Sequence, residues 1–219
     1  MQDKSMSETA GKQLIKSISD DRQADLLGKV TASNLEAVMA KGYRGQPSAS
    51  RANYMSQLLV QRLSGKSKGE AFLSDAVQWG IEKEPLARAA YQVASSEIVR
   101  DGKFVDHPTI EMTGAAPDGF VGKHGLIEIK CPNTATHLEF VDTRKIPWRY
   151  MLQMQWQMEC TDREWCDYIS FDPRLPKGLQ LEVMRVERNE LLIYRIEEAV
   201  VGFLYELERK EDRYRRRLA

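Results

Sequence analysis

The stretch Gly114–Cys131, GAAPDGFVGKHGLIEIKC, constrains this chain more than any other. Pro117-Asp118-Gly119 is turn chemistry. The Gly122-Lys123-His124-Gly125 segment predicts a hairpin loop, and Leu126–Lys130 predicts a short strand. Successive side chains of a strand point to opposite faces. Glu128 and Lys130 therefore share one face, while Ile127 and Ile129 point the other way, towards a core. A hairpin that folds Asp118 back beside them gathers two carboxylates and one ammonium in a small volume. Such carboxylates repel one another unless a cation sits between them. Oxygen ligands with no nearby cysteine or histidine cluster suit Mg2+ or Mn2+. A plainer reading competes: a surface turn followed by a strand whose charged face is solvated.

Composition sets wider limits. The chain has 219 residues, 42% hydrophobic and 29% charged. That predicts one large soluble domain: a helical N-terminal part over about residues 1–95, a core over about 96–186 and a C-terminal helix over about 189–218. The formal net charge is zero, so any DNA-binding surface has to be local. No apolar run reaches membrane-spanning length, and no signal-peptide pattern opens the chain. Cys131, Cys160 and Cys166 are an odd number without pairing pattern, which predicts a reduced, cytoplasmic compartment. Three cysteines also exclude a four-cysteine iron–sulfur cluster.

Along the chain, Met1–Asp21 is polar, with one short helical face from Leu14, Ile15 and Ile18. Ser33 is expected to cap a helix, with Glu36 three residues on completing a capping box ahead of Ala37, Val38 and Met39. Such a helix start suits a phosphate, although Ser33 as a plain cap explains the residue equally well. The loop Lys41–Ala52 carries Lys41, Tyr43, Arg44 and Arg51. It reads either as a DNA-backbone contact or, more commonly, as an ordinary surface loop. Ser50–Leu63 and Glu70–Val93 read as helices, the second broken at Glu84 by Pro85. Glu97–Val105 predicts a hairpin turning at Asp101-Gly102, and Thr109–Thr113 a further strand. His107, His124 and His137 lack metal-ligand spacing and read as surface or loop residues. Asn133–Phe140 is placed to cover the site. Lys145–Cys160 predicts a helix on which Lys145, Arg149, Gln153 and Gln157 recur every four residues. Trp165–Phe171 and Leu179–Val186 predict paired strands. Asn189–Leu218 predicts a long helix with Leu192, Ile196, Val200, Phe203 and Leu207 as its apolar stripe. Its terminal Arg213, Arg215, Arg216 and Arg217 read as a DNA or subunit contact, or more simply as a solvated helix end.

The Gly114–Gly119 and Glu128–Pro132 segments, with Trp79-Gly80…Glu84-Pro85 and Tyr150-Met151-Leu152-Gln153, resemble the phage lambda-type exonuclease (YqaJ-like viral recombinase) family of the PD-(D/E)XK nuclease superfamily. The resemblance runs over roughly Leu26–Pro173. It implies an α/β fold with a central mixed β-sheet flanked by helices, and two Mg2+ (or Mn2+) ions per site. Asp118 and Glu128 become metal ligands, completed by the Ile129 carbonyl. Lys130 orients or deprotonates the attacking water. Glu84 holds metal-bound water, with Glu82 as the competing acid, and Gln153 positions water or the lysine. Thr31 and Ser33 fall near a terminal 5′-phosphate, with Lys29 and Arg44 as further candidate DNA-binding groups. Two positions depart from the pattern: Leu26 stands where an arginine is usual, and Ala116 where a hydroxyl residue sometimes precedes Pro-Asp. The resemblance further implies a processive 5′→3′ exonuclease on linear double-stranded DNA, a homotrimer ring, a single-strand annealing protein as partner, and phage or prophage origin in a bacterial host. An endonuclease on the same core and a catalytically silent DNA-binding protein are the alternatives.

Overall fold

The computed structural model describes residues 25–42, 48–66 and 74–218. The expected helical face of Leu14, Ile15 and Ile18, together with Tyr43 and Arg44, lies outside the described residues. In chain order the elements are β1 (Val30–Thr31), α1 (Leu35–Met39), α2 (Ala49–Ser64), α3 (Asp75–Ser95), β2 (Val99–Asp101), β3 (Val105–Asp106), β4 (Thr113–Ala115), β5 (Gly119–Val121), β6 (Gly125–Lys130), α4 (Thr134–Thr143), α5 (Trp148–Thr161), β7 (Trp165–Phe171), β8 (Leu181–Glu187) and α6 (Glu190–Arg215).

Two sheets carry the strands. A five-stranded sheet runs β2-β5-β6-β7-β8, and a small one runs β1-β4-β3. The larger sheet is mixed: β6 and β7 are parallel and the other neighbours antiparallel. Its two faces bury different residues because side chains alternate along β6. Ile127 and Ile129 pack with Val121, Ile169 and Phe171 against Ala87 and Tyr91 of α3. Leu126 packs on the other face with Phe140 of α4 and Met154 and Met158 of α5. A third cluster joins α1, α2, α5 and α6 through Leu35, Met55, Trp156 and Phe203. The result is the expected α/β architecture, a mixed sheet flanked by helices.

Several local expectations are corrected. The chain runs helical through Pro85, so α3 is continuous and Glu84 sits mid-helix rather than at a break. Pro85 removes one backbone donor, and packing of Ala87 and Tyr91 on the sheet outweighs that loss. β2 and β3 do not pair with each other: β2 pairs with β5, and β3 with β4. Asp101-Gly102 therefore leads from one sheet to the other instead of closing a hairpin. Thr109–Glu111 is bend and turn, and the strand begins only at Thr113, after Met112 at φ +61°. A 3-10 turn over Ala32–Asn34 precedes α1, whose N-cap is Asn34, so Ser33 caps nothing. Lys145 lies before α5, which starts at Trp148. Trp165–Phe171 forms its expected strand, and its partner β8 begins at Leu181. The buried stripe of α6 is Ile193, Ile196, Val200, Phe203 and Leu207, with Leu192 at its edge.

Two of the three histidines are buried rather than superficial. His137 bridges Ser170 Oγ (2.8 Å) and the Leu179 carbonyl (2.9 Å), tying α4 to the sheet. His107 stacks on Trp156 with ring centroids 4.7 Å apart.

Candidate active site

The β5–β6 hairpin pairs Gly119 with Ile127, so the register carries Asp118 to the position opposite Glu128. The Ile129 amide donates to Asp118 Oδ2 at 2.6 Å, locking the carboxylate against the strand. Pro117 is fixed from behind. A Cβ on Gly102 would fall 1.7 Å from the Pro117 carbonyl oxygen, so only glycine permits this approach. Arg88 of α3 adds a tether: its Nη2 donates to the Asp118 carbonyl (2.6 Å) and lies 3.5 Å from Glu84 Oε1, while Nη1 reaches Asp101 at 3.0 Å.

Glu128 is fully buried. A carboxylate in the middle of a sheet needs partners, and α5 supplies them. Gln153 Nε2 donates to Oε1 and Gln157 Nε2 to Oε2, each at 2.7 Å. Lys130 closes the arrangement with an ion pair to Oε1. The plainer reading of a solvated strand face is thereby excluded for Glu128. Lys130 also lies over the Tyr150 ring, 4.8 Å from its centroid, with Arg149 on the same ring at 4.6 Å.

Asp118, Glu84, Ile129, Lys130 and Tyr150 line one cleft of about 680 Å³. Burial, and then the neighbouring charge of Glu128, push the Asp118 carboxyl well above the usual carboxylate range; Lys130 works against them and Glu84 adds to the rise. Burial works to lower the Lys130 ammonium, but the Glu128 and Asp118 charges outweigh it and hold it above its ordinary value. Cys131 also lines the cleft, and burial pushes its thiol up to about 11, which removes it as a nucleophile near neutral pH.

An oxygen-only set with two desolvated acids side by side fits a hard divalent cation. The residues that would hold it are Asp118, Glu128 and the Ile129 carbonyl. As they stand, Asp118, Glu128 and Glu84 do not bring one carboxylate oxygen each within 4.8 Å of one another. Among the described residues, that closeness is reached by His107, Glu159 and Glu197. This second cluster is not a metal site. His107 Nδ1 accepts from the Thr109 and Ile110 amides (3.2 and 3.0 Å), so Nε2 carries the proton and has no lone pair to give.

The remaining predicted residues lie elsewhere. Thr31 and Ser33 share a hydroxyl contact at 3.3 Å, with the Asn34 amide donating to Thr31 Oγ1 at 2.9 Å. Neither lines the cleft. Lys29 pairs with Asp106 at 2.6 Å, over the ring of Phe104. Phe104 borders a small pocket of about 130 Å³ that Asp118, Glu84 and Arg88 also line. Glu82 points away, accepting from Gln78. Sequence reasoning missed Gln157 as a Glu128 partner, although its position four residues after Gln153 on one helix face was the available signal. It also missed Arg88, which sits one turn after Glu84.

A turn-borne aspartate, a strand-borne Glu-X-Lys and a helix of glutamines beneath them define the PD-(D/E)XK type of core. The YqaJ-like viral recombinase domain matches residues 23–164, and the chain belongs to that family. Among solved structures, an alkaline exonuclease (LHK-Exo) from Laribacter hongkongensis is 47% identical, covering 91% of this chain and 97% of its own at a TM-score of 0.85. The same protein in complex with dAMP matches at a TM-score of 0.84, again at 47% identity, with the same coverage. A phage-related exonuclease from Haemophilus somnus 129PT shares the fold at 18% identity and a TM-score of 0.69, over 87% of this chain and 96% of that one. A search of curated proteins found no significant match.

Proposed function

We propose that this chain is a Mg2+- or Mn2+-dependent deoxyribonuclease, a processive exonuclease that degrades one strand of linear double-stranded DNA from its 5′ end and leaves 3′ single-stranded tails. The observation that carries the reading is Asp118 set opposite a buried Glu128 whose neighbour Lys130 faces the same cleft. The 47% identical alkaline exonuclease supports exonuclease chemistry, and its dAMP complex supports a nucleoside monophosphate product.

Asp118, Glu128 and the Ile129 carbonyl would hold two ions. When bound, these supply Lewis-acid charge that activates water and neutralises the scissile phosphate. Lys130, facing the same cleft, orients or helps deprotonate the attacking water and stabilises negative charge on the phosphate. Gln153 and Gln157 hold the Glu128 carboxylate in one orientation. Glu84, on the cleft wall, orders water at its edge. Thr31, Ser33 and Lys29 approach the DNA end from the β1 side.

The same reading includes a single nuclease domain, a homotrimer ring around DNA, a single-strand annealing protein as partner, and action in the cytoplasm of a bacterial host as a phage or prophage product. Among the described residues, no helix is long and apolar enough to cross a membrane.

Linear duplex DNA labelled at one 5′ end or internally, with 5′-phosphate or 5′-hydroxyl ends, tests the proposal with and without Mg2+. Metal-dependent release of mononucleotides from 5′ ends, lost in Asp118→Ala and Lys130→Ala, is the expected result. Cleavage at internal positions points to an endonuclease, and no cleavage with either metal to a silent DNA-binding protein.

A further inference from the structure

The cleft that holds Asp118 and Lys130 extends along Trp79, Pro132 and Asn133 to Arg174. Arg174 follows β7 in the sequence Phe171-Asp172-Pro173-Arg174 and is held from several sides. Its Nε donates to Asp172 Oδ1 (2.7 Å) and its Nη2 to Asp172 Oδ2 (2.9 Å) and to the Pro132 carbonyl (3.2 Å). Its guanidinium lies 4.5 Å from the centroid of Trp79. Asp172 is itself fully buried and accepts a further bond from Thr134 Oγ1 at 2.6 Å. Despite these ties, 46% of the Arg174 side chain remains exposed. Nη1 makes no hydrogen bond to the described residues, so its two N–H groups are left open on a residue that lines the cleft.

A guanidinium fixed this way carries little entropy cost on binding and presents donors in the geometry that suits a phosphate. It shares the cleft with Lys130. We propose that Arg174 is a subsite for a DNA backbone phosphate: it holds a phosphate of the strand being cut that is not itself cleaved, and Trp79 backs the guanidinium. The inference rests on the nuclease reading for the identity of the strand, but the phosphate contact is testable without catalysis.

The test is equilibrium binding of a short, fluorescently labelled, 5′-phosphorylated duplex in EDTA across a salt series. Each phosphate contact contributes roughly 0.7 to 0.9 to the slope of log affinity against log salt. Arg174→Gln is expected to weaken binding and to flatten the slope by about that one contact. The double variant Asp172→Asn/Arg174→Gln removes both charges together. It leaves the net charge unchanged and no buried acid unpaired, so it keeps the test valid if the single variant is unstable. Arg174→Lys is expected to recover the slope. A merely structural arginine shifts the melting temperature but not the slope, and an unchanged slope in both neutral variants overturns the proposal. Absence of salt-dependent binding by the wild type overturns it too. Hydrolysis by wild type in Mg2+ is scored separately: a flattened slope without hydrolysis sinks the nuclease reading alone, and hydrolysis with an unchanged slope sinks this inference alone.

Discussion

Gln157 donates its amide to Glu128 Oε2 at 2.7 Å, while its own buried carbonyl oxygen meets no partner among the described residues. The buried glutamine therefore leaves one acceptor unmet while holding one carboxylate oxygen in place. Gln157→Leu removes a hydrogen bond to a charged group. It is expected to lower stability by about 1.5–3 kcal/mol in the metal-free protein. DNA hydrolysis should fall by about a hundredfold if the Glu128 carboxylate turns by even 1 Å. Thermal melting beside turnover on linear duplex separates the two effects, and full activity would show that Gln153 alone suffices to orient Glu128.

Gly102 leaves no room for a side chain against the Pro117 carbonyl. Gly102→Ala is expected to displace the Pro117-Asp118 turn and to cut turnover by about a hundredfold, as misplacement of a reacting group near 1 Å does. Turnover measured beside the circular dichroism spectrum checks it. Wild-type turnover would mean that the turn relaxes without moving Asp118.

Asp167 of β7 stands opposite Arg185 of β8, which binds it through Nε (2.8 Å) and Nη2 (2.9 Å). Tyr91 of α3 donates to the same carboxylate at 2.8 Å. Arg185→Met leaves a buried acid with one donor, so a loss of about 1–3 kcal/mol is expected. That figure stays below the cost of breaking a fully buried pair because Arg185 is itself half exposed. Urea unfolding measures it, and a change under about 0.5 kcal/mol would place the pair with ordinary surface ion pairs.

Acid stability tests the Asp172–Arg174 pair. Burial alone would raise the Asp172 carboxyl, but hydrogen bonds from Arg174 and Thr134 outweigh it and hold it down at about 2. A folded value below the unfolded one means that the unfolded chain binds more protons in this range. The stability from this group is therefore complete above about pH 5 and is lost as pH falls from about 4 to about 2. Asp172→Asn is expected to flatten that part of the melting-temperature profile. Profiles that stay parallel between wild type and variant would remove Asp172 from the account of acid unfolding.

Much of the fold and the centre of the site are legible in the chain because they rest on short-range periodicity. Ile127 and Ile129 alternate with Glu128 and Lys130, and they pack on opposite sides of the sheet as alternation requires. The four-residue spacing of Gln153 and Gln157 places both on one helix face, and the α6 stripe follows the same rule. Where local rules compete with packing, local reading fails. Pro85 signals a break that the contacts of Ala87 and Tyr91 override. Asp101-Gly102 signals a hairpin, but β2 and β3 each find a better partner in a different sheet.

The sequence by itself determined the chemistry of the centre: a turn-borne aspartate, a strand-borne glutamate and lysine, and a following helix of glutamines. Tertiary structure alone decided that Glu128 is buried beneath two glutamines, that His107 and His137 lie inside, and that Arg174 reaches the cleft of Asp118 across 56 residues of chain. The physical reason is range. Side-chain direction along one element follows from its own geometry. Burial and convergence depend on strand pairing and helix packing between segments far apart in sequence, whose partners no local pattern records.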